Sequence, residues 1–515
     1  MKPFVRFRPV FFLLAAVCAL LFTPSLSARW WIFHRRPNLT KRVNALLQAS
    51  GVRRGRLGVE VVRLPGGKVL FARDSEHLFQ PASNMKLFTT ACALEKLGPD
   101  FIYRTTVESA DPPDAQGRVG DLYLVGRGDP DLSNRVLPYH LRTERRGPAD
   151  AAFRQLAAEV AAKGVKVVTG NLIADDDYFI DEPYAPDWAV DDMPWGYGAP
   201  VTALAFEDNE LLLHIQPAQS AGELASIQIT PLPHYYTVSN EVMTAAAKTP
   251  EDIQLDRAPG AYELNVWGRI PAGSKGDDET VAIQNPPEVI GRIFRRDLEA
   301  DGVKFLGHIA VQNITQIEAA SGTAPPSKPH TIILAEHDSP PLKEDITMTL
   351  KVSQNLHAEM LLRTLAHQLT GVGSRSKGLA ILRRYVAGFG VTPHEVYFVD
   401  GSGLSRAVLV SPAAIAKLLV HMAQSPDARI FENALPVAGV DGTLADRFKG
   451  TPAQGRIHGK TGSLEHVNSL SGYMDLPKGK KLAFSIIVND NPLHWRQGEQ
   501  LIDQVALAIF KAYSR

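Results

Sequence analysis

Cysteine is nearly absent from this 515-residue chain, which holds only Cys18 and Cys92. If a leader carrying Cys18 is removed, Cys92 has no partner and no intrachain disulfide is available. A chain of this length can bury its own core without such staples. Cys92, on the apolar face of "TTACALEKL", reads as a small buried hydrophobe. Net charge is absent too, since 55 lysines and arginines meet 55 aspartates and glutamates. No basic excess argues for nucleic acid, and no acidic tail argues for disorder. The apolar run "VFFLLAAVCALLF", residues 10–22, falls short of the roughly 20 residues that cross a bilayer as a helix. Metal-hydrolase motifs are missing. There is no H-E-x-x-H, and His357-Ala358-Glu359 lacks the P-C-x-x-C partner of zinc deaminases. None of the 15 histidines falls in a triad motif, and G-x-S-x-G occurs only in broken form around Ser402 in "DGSGLS". "GRGDPDLS" holds two of the three glycines of a dinucleotide loop, precedes no convincing helix, and reads as a turn.

What is present begins with a leader. Lys2, Arg6 and Arg8 precede the apolar run, and Pro24, Ser25, Ser27 and Ala28 follow it. That order predicts a secretory signal peptide over residues 1–28, cut near Ser27 or Ala28. The alternatives are an uncleaved anchor and a lipid on Cys18, although Val17 is larger than a lipid-attachment site wants.

Two strand-like runs follow, "LGVEVVRL" (57–64) and "KVLFARD" (68–74), joined by the hairpin loop "PGG". A mostly apolar helix comes next, with Pro81 near its first turn and Gly98-Pro99 at its end. From about 101 to 285 the texture changes to short β-rich pieces between Pro, Gly and Asp turns, which predicts an inserted region of one or two subdomains. Helical periodicity returns at "NPPEVIGRIFRRDLEADG" and again over 342–371, with a possible break near Ser353. The chain ends in a hairpin, "NSLSGYMDL" and "KLAFSIIVND", then a helix from about Trp495 to Tyr513. Strand pairs near both ends predict one sheet built from the two termini and covered by helices. The fold class is α/β, or α+β, rather than a βαβ series.

"QPASNMKLFTTACALEKLG" (80–98) carries the first chemical signal. Ser83 and Lys86 are three residues apart, so they share a helix face. Their neighbours are apolar, and desolvation lowers a lysine's pKa until a neutral amine is available as a base near pH 7. A serine is a weak nucleophile until such a base takes its proton. Alone, this spacing is weak and is better explained by a capping serine and a snorkelling lysine.

Two more stretches sharpen it. "KVSQNLHAEM" contains Ser353-Gln354-Asn355, and "IHGKTGSLE" contains Lys460-Thr461-Gly462 before the C-terminal strands. S-x-x-K, S-x-N and K-T-G in that order form the signature of active-site serine β-lactamases and penicillin-binding proteins. The second serine can relay a proton to a leaving amine. Its asparagine can bond the substrate or hold the first lysine. Lys460 and Thr461 offer cationic and hydroxyl partners for a terminal carboxylate, and Gly462 lets a substrate backbone lie beside the strand.

With these motifs, and with "LVGRGDPDLS", "MPWGYGAPVTALAFEDNE", "DGSGLSR" and "KTGSLEHVNSLSGY", the chain resembles the class C low-molecular-mass penicillin-binding proteins, the D-alanyl-D-alanine carboxypeptidase/endopeptidases of peptidase family S13. The long gap between Ser83 and Ser353 is the family's most specific feature. The resemblance implies a serine β-lactamase/transpeptidase-like domain over 29–100 and 286–515, interrupted by two β-rich domains over 101–285. It implies Ser83 as the acylated nucleophile, Lys86 as its base and Ser353 as the proton relay. Asn355, Lys460, Thr461 and Gly462 would bind substrate. The backbone N–H groups of Ser83 and Ser463 would form an oxyanion hole, worth about 3–4 kcal/mol per donor.

The implied substrates are peptidoglycan stem peptides in the periplasm, and β-lactam antibiotics would be covalent inhibitors. No cofactor or metal is implied, and oligomeric state and membrane association stay open. Gln354 departs from the S-D-N form, and no E-x-x-L-N supplies a deacylating carboxylate, which argues against an efficient β-lactamase. The competing readings are a β-lactamase or esterase of the same fold and a decayed cell-wall binding protein; the intact motif residues speak against decay.

Overall fold

The computed structural model describes residues 37–50, 52, 55–140, 145–321 and 332–514. The leader and its cleavage site lie outside the described residues. Among those described, no helix is long and apolar enough to cross a membrane.

The sheet expected from the two termini is formed. Its strands are β1 (Arg56–Arg63), β2 (Lys68–Arg73), β3 (Ile457–Leu464), β4 (Val467–Asp475) and β5 (Lys481–Asn489), in the spatial order β3-β4-β5-β1-β2. Every pairing is antiparallel, with Val59 opposite Ile486 and Thr461 opposite Leu470. β1 and β5 are buried along almost their whole length, which suits their near-continuous β-branched and apolar runs. One face packs on helices Pro37–Ala49 and Trp495–Tyr513, with Val59, Val61, Phe484 and Ile486 in that core. The other face packs on α1 (Lys86–Leu97) and on helix Pro412–Met422. Cys92 is fully buried there and unpaired, and burial pushes its thiol up to about 12. Behind α1 lie α2 (Leu342–Lys351) and α3 (Asn355–Thr370), which meet at Ser353.

The intervening chain builds a second, mixed sheet. Its strands run in the order Ile309–Ile314, Leu172–Ile180, Leu122–Val125, Arg104–Ser109, Ile332–Asp338. The same stretch forms three three-stranded sheets, one from Thr237–Ala245, Glu263–Pro271 and Asp252–Asp256, one from Asp277–Ala282, Glu210–Gln216 and Ser226–Thr230, and a short one from Lys304–Phe305, Val167–Val168 and Arg118–Val119.

The return to the catalytic unit expected at residue 286 does not coincide with the change in packing. Helix Pro286–Ala300 is a helix, as its periodicity predicts, but Val289, Ile290, Phe294 and Leu298 pack with Leu122 and Leu172 in the inserted core. Strand Ile332–Asp338 then edges the inserted sheet. The chain leaves and returns at one place, where Ser339 N–H donates to Tyr103 O and Leu342 N–H to Phe101 O. We therefore place the inserted unit at about 104–338. Helical period marks a helix without saying which core its apolar face joins.

Candidate active site

Ser83 sits in a single 3-10 turn, Ala82–Met85, rather than in the helix proper, and α1 begins at Lys86. Sheet side chains hold the turn. Ser469 Oγ donates to Pro81 O at 2.7 Å, and Asn84 Nδ2 donates to Ser471 Oγ at 2.8 Å. Ala82 has φ +48°, a conformation that L-residues with a Cβ seldom adopt. Gly403 lies directly over Ala82 O, where a Cβ would come within 1.9 Å of that oxygen.

Lys86 is fully buried. Its Nζ lies 2.9 Å from Ser83 Oγ, 2.5 Å from Asn355 Oδ1 and 3.0 Å from the carbonyl of Ser402. Burial pushes its pKa down to about 7, against the carboxylates of Asp400 and Glu359, which pull it up. A neutral amine has two N–H donors and one lone pair. Asn355 Oδ1 and Ser402 O can only accept, so they take both donors. The lone pair is then left for the Ser83 hydroxyl, which is the orientation a general base needs.

Ser353 occupies the junction of α2 and α3 with φ +66°. The junction is the break expected there, and Gln354 caps α3 by accepting from Leu356 N–H at 3.0 Å. The cap needs only a side-chain oxygen that can accept from the first turn, and the Gln354 amide oxygen supplies one here. Asn355 starts α3, with Oδ1 toward Lys86 and Nδ2 donating to the carbonyl of Tyr197 at 2.8 Å.

Lys460 is on β3, fully buried, and its Nζ bonds Ser353 Oγ at 2.8 Å and Thr461 O at 2.7 Å. Burial and then the Lys86 charge hold its pKa well below the ordinary range. The amine thus faces Ser353 rather than open solvent. Thr461 Oγ1 donates to or accepts from Thr443 Oγ1 at 2.7 Å. Gly462 backs onto the nucleophile turn. A Cβ there would fall 2.3 Å from Ser469 Oγ, 2.7 Å from Pro81 O and 3.0 Å from Ser83 N. Its lack of a side chain lets β3 approach Ser83, a role beyond making room for a substrate backbone.

Ser83, Ser353, Asn355 and Ser463 line one cleft of about 440 Å³, with Lys86 and Lys460 buried beneath it. Asp191, Asp192 and Tyr197 of the inserted unit and Gly403, Leu404, Arg406, Leu464 and Glu465 of the catalytic unit form the rest of its wall. Sequence reasoning missed several supports. Glu359 Oε1 accepts from the N–H groups of Gly401 and Ser402 at 2.8 Å each. Asp400 accepts from Gly403 and Ser405 N–H and from Trp188 Nε1. These bonds fix the "DGSGLSR" loop, and with it the Ser402 carbonyl on Lys86. The segment itself stood out in the sequence, but nothing in it named a role.

A family model described as the D-Ala-D-Ala carboxypeptidase 3 (S13) family matches residues 39–509. The D-alanyl-D-alanine carboxypeptidase of Actinomadura sp. (strain R39) is 35% identical over 466 residues, covering 88% of this chain and 81% of that protein. The D-alanyl-D-alanine carboxypeptidase DacB of Haemophilus influenzae is 26% identical over 415 residues, covering 79% of this chain and 80% of its own. The crystal structure of penicillin binding protein 4 from Haemophilus influenzae superposes with a TM-score of 0.75 at 23% identity, over 92% of this chain and 99% of that one, which shows a shared fold.

Proposed function

Because the chain belongs to the D-Ala-D-Ala carboxypeptidase 3 (S13) family and is a serine-type carboxypeptidase, we propose that it cleaves terminal D-alanine, and D-alanyl cross-links, from peptidoglycan stem peptides through an acyl-enzyme on Ser83. Ser83 Oγ attacks the carbonyl of the penultimate D-alanine while Lys86 Nζ takes its proton. The amide C–N bond breaks, and the leaving amine receives a proton through Ser353. Water then attacks the ester, again with proton removal toward Lys86, and restores the free hydroxyl.

The observation that carries this reading is the partnering of Lys86, whose two acceptor-only neighbours leave its lone pair on Ser83. Lys460 acts on Ser353 by direct hydrogen bond, and Lys460 and Thr461 are the groups we assign to the substrate's terminal carboxylate. Ser83 and Ser463 N–H groups receive the oxyanion. At the mouth Arg406 lies between Asp192 and Glu465, 3.9 and 3.7 Å from their carboxylates, and Asp191 beside them leaves the rim net negative, suited to a substrate amine. A β-lactam occupies the same acyl site; the Haemophilus influenzae protein has been crystallised with one. We further propose that the leader exports the protein to the periplasm.

Mass spectrometry of products from purified muropeptide monomers and cross-linked dimers tests the activity, and peptide mapping of a labelled penicillin adduct tests the nucleophile. Adduct at any residue but Ser83, or no adduct, overturns the mechanism.

A further inference from the structure

A turn beside β3 is held more firmly than its exposed tip requires. Residues 436–438 run along that strand, where Gly459 N–H donates to Pro436 O and Ala438 N–H to Ile457 O, each at 2.9 Å. The chain then passes through Asp441 into the single 3-10 turn Gly442–Leu444. Lys351, the last residue of α2, is buried, and its Nζ donates to Asp441 Oδ1 and Oδ2 at 2.8 and 2.6 Å and to Leu435 O at 2.7 Å. Asp441 Oδ1 also accepts from Val437 N–H at 2.8 Å. Gly442 has φ +56°, and a Cβ there would lie 2.7 Å from Lys351 O, so the turn needs glycine. Its N–H donates to the Tyr139 hydroxyl at 3.0 Å, which brings the inserted unit into the support.

What these bonds present at the tip is Thr443, an exposed side chain whose Oγ1 lies 2.7 Å from Thr461 Oγ1. Neither hydroxyl has another hydrogen-bond partner among the described residues. Two hydroxyls carry two protons, and their mutual bond uses one. The second proton is left for a group outside the protein. A carboxylate is such a group, since it only accepts and has two oxygens to offer. It can take one proton from each threonine, or one from a hydroxyl that its neighbour's bond has polarised. A lone Thr461 could give it a single bond.

We propose that Thr443 is a second binding hydroxyl for the substrate's terminal carboxylate, acting as a pair with Thr461. The inference rests on the assignment of Thr461 to that carboxylate. It makes the turn 442–444, and through Tyr139 the inserted unit, part of what selects a free carboxylate over an amide or ester at the same position.

The test compares second-order acylation rates of the full-length protein with a penicillin and with its methyl ester. In a penicillin, as in the peptide, the carboxylate sits on the carbon bonded to the scissile nitrogen, and the ester removes its charge. The parent should prefer the carboxylate form. Thr443→Val and Thr443→Ala should each lose at least about tenfold of that preference, the usual worth of a hydrogen bond to a charged group, and Thr443→Ser should keep it. Equal slowing on both compounds, or no slowing, in Thr443→Val and Thr443→Ala overturns the proposal and leaves the residue a structural prop. Thr461→Val separates this failure from a failure of the reading beneath it. Preference lost in Thr461→Val and kept in the two Thr443 variants overturns the role of Thr443 alone. Preference kept in all three, or absent from the parent, overturns the carboxylate assignment as well. Thr443 is exposed and its hydroxyl has one partner, so the alanine variant removes that bond without adding bulk, and circular dichroism checks its fold.

Discussion

Replacing Lys86 by methionine separates the cost of burying the amine from its use. In the folded chain burial pushes Lys86 down to about 7 from its ordinary 10.5, with Asp400 and Glu359 pulling the other way. The unfolded chain keeps the ordinary value. Between those two pH values the unfolded state therefore binds the extra proton, and stability rises with pH. The slope approaches about 1.4 kcal/mol per pH unit above pH 7, and since the amine is half titrated at pH 7 the gain from pH 7 to pH 9 is about 2 kcal/mol. Below pH 7 both states are protonated at this residue and the contribution is flat. Lys86→Met lacks the term altogether. Urea unfolding of parent and variant at a series of pH values should give stability differences that are constant below pH 7 and then grow in the parent's favour. Acylation of the parent by a fluorescent penicillin should climb with pH up to about 7 and level off as the amine becomes neutral. In Lys86→Met it should fall by roughly 10²–10⁴-fold, the usual worth of a positioned base. Parallel stability curves, or acylation in the parent that shows no acid limb near pH 7, would refute a neutral Lys86 as the base.

Further outcomes follow from the same geometry. Ser353→Ala removes the Lys460 partner and the proposed relay, so acylation should drop by about 10²-fold or more in stopped-flow kinetics; the melting temperature should change little. Gly462→Ala places a Cβ 2.3 Å from Ser469 Oγ and 3.0 Å from Ser83 N, and calorimetry should show about 1–3 kcal/mol of destabilisation together with slower acylation. Trp188→Phe deletes a bond that lowers the Asp400 pKa, which stands near 6. Asp400 then carries less charge at neutral pH and supports protonated Lys86 less, so the acid limb of acylation should move to lower pH.

Much of this was legible in the sequence because the signals were local. The two hairpins, the terminal helix and the break at Ser353 follow from alternation, turn residues and helical period. The three motifs named their residues by spacing alone, and in the folded chain Ser83, Ser353, Asn355 and Ser463 line one cleft. What failed was the assignment of elements to cores. Helix Pro286–Ala300 has an amphipathic pattern that either unit can bury, and only packing shows that it joins Leu122 and Leu172. The direction of Lys460 was equally hidden, since a strand position fixes the face of the sheet but not that the amine ends on Ser353.

The least legible part of the site is the part made of backbone. Lys86 is oriented by the carbonyl of Ser402, Asn355 by that of Tyr197, and Ser469 by that of Pro81. A carbonyl belongs to every residue type, so its use leaves no mark on the residue that supplies it. It marks the neighbours instead. Gly403 is glycine because its backbone lies against Ala82 O, and Gly462 because its backbone lies against Pro81 O and Ser83 N. Asp400 and Glu359 are acids because unpaired N–H groups of the 401–405 loop need acceptors in a buried place. The inserted unit enters by the same route. Tyr197 lends a carbonyl to Asn355 and Trp188 lends an N–H to Asp400, so an insertion that carries none of the motif side chains still takes part in setting the charge around Lys86 and the position of Asn355.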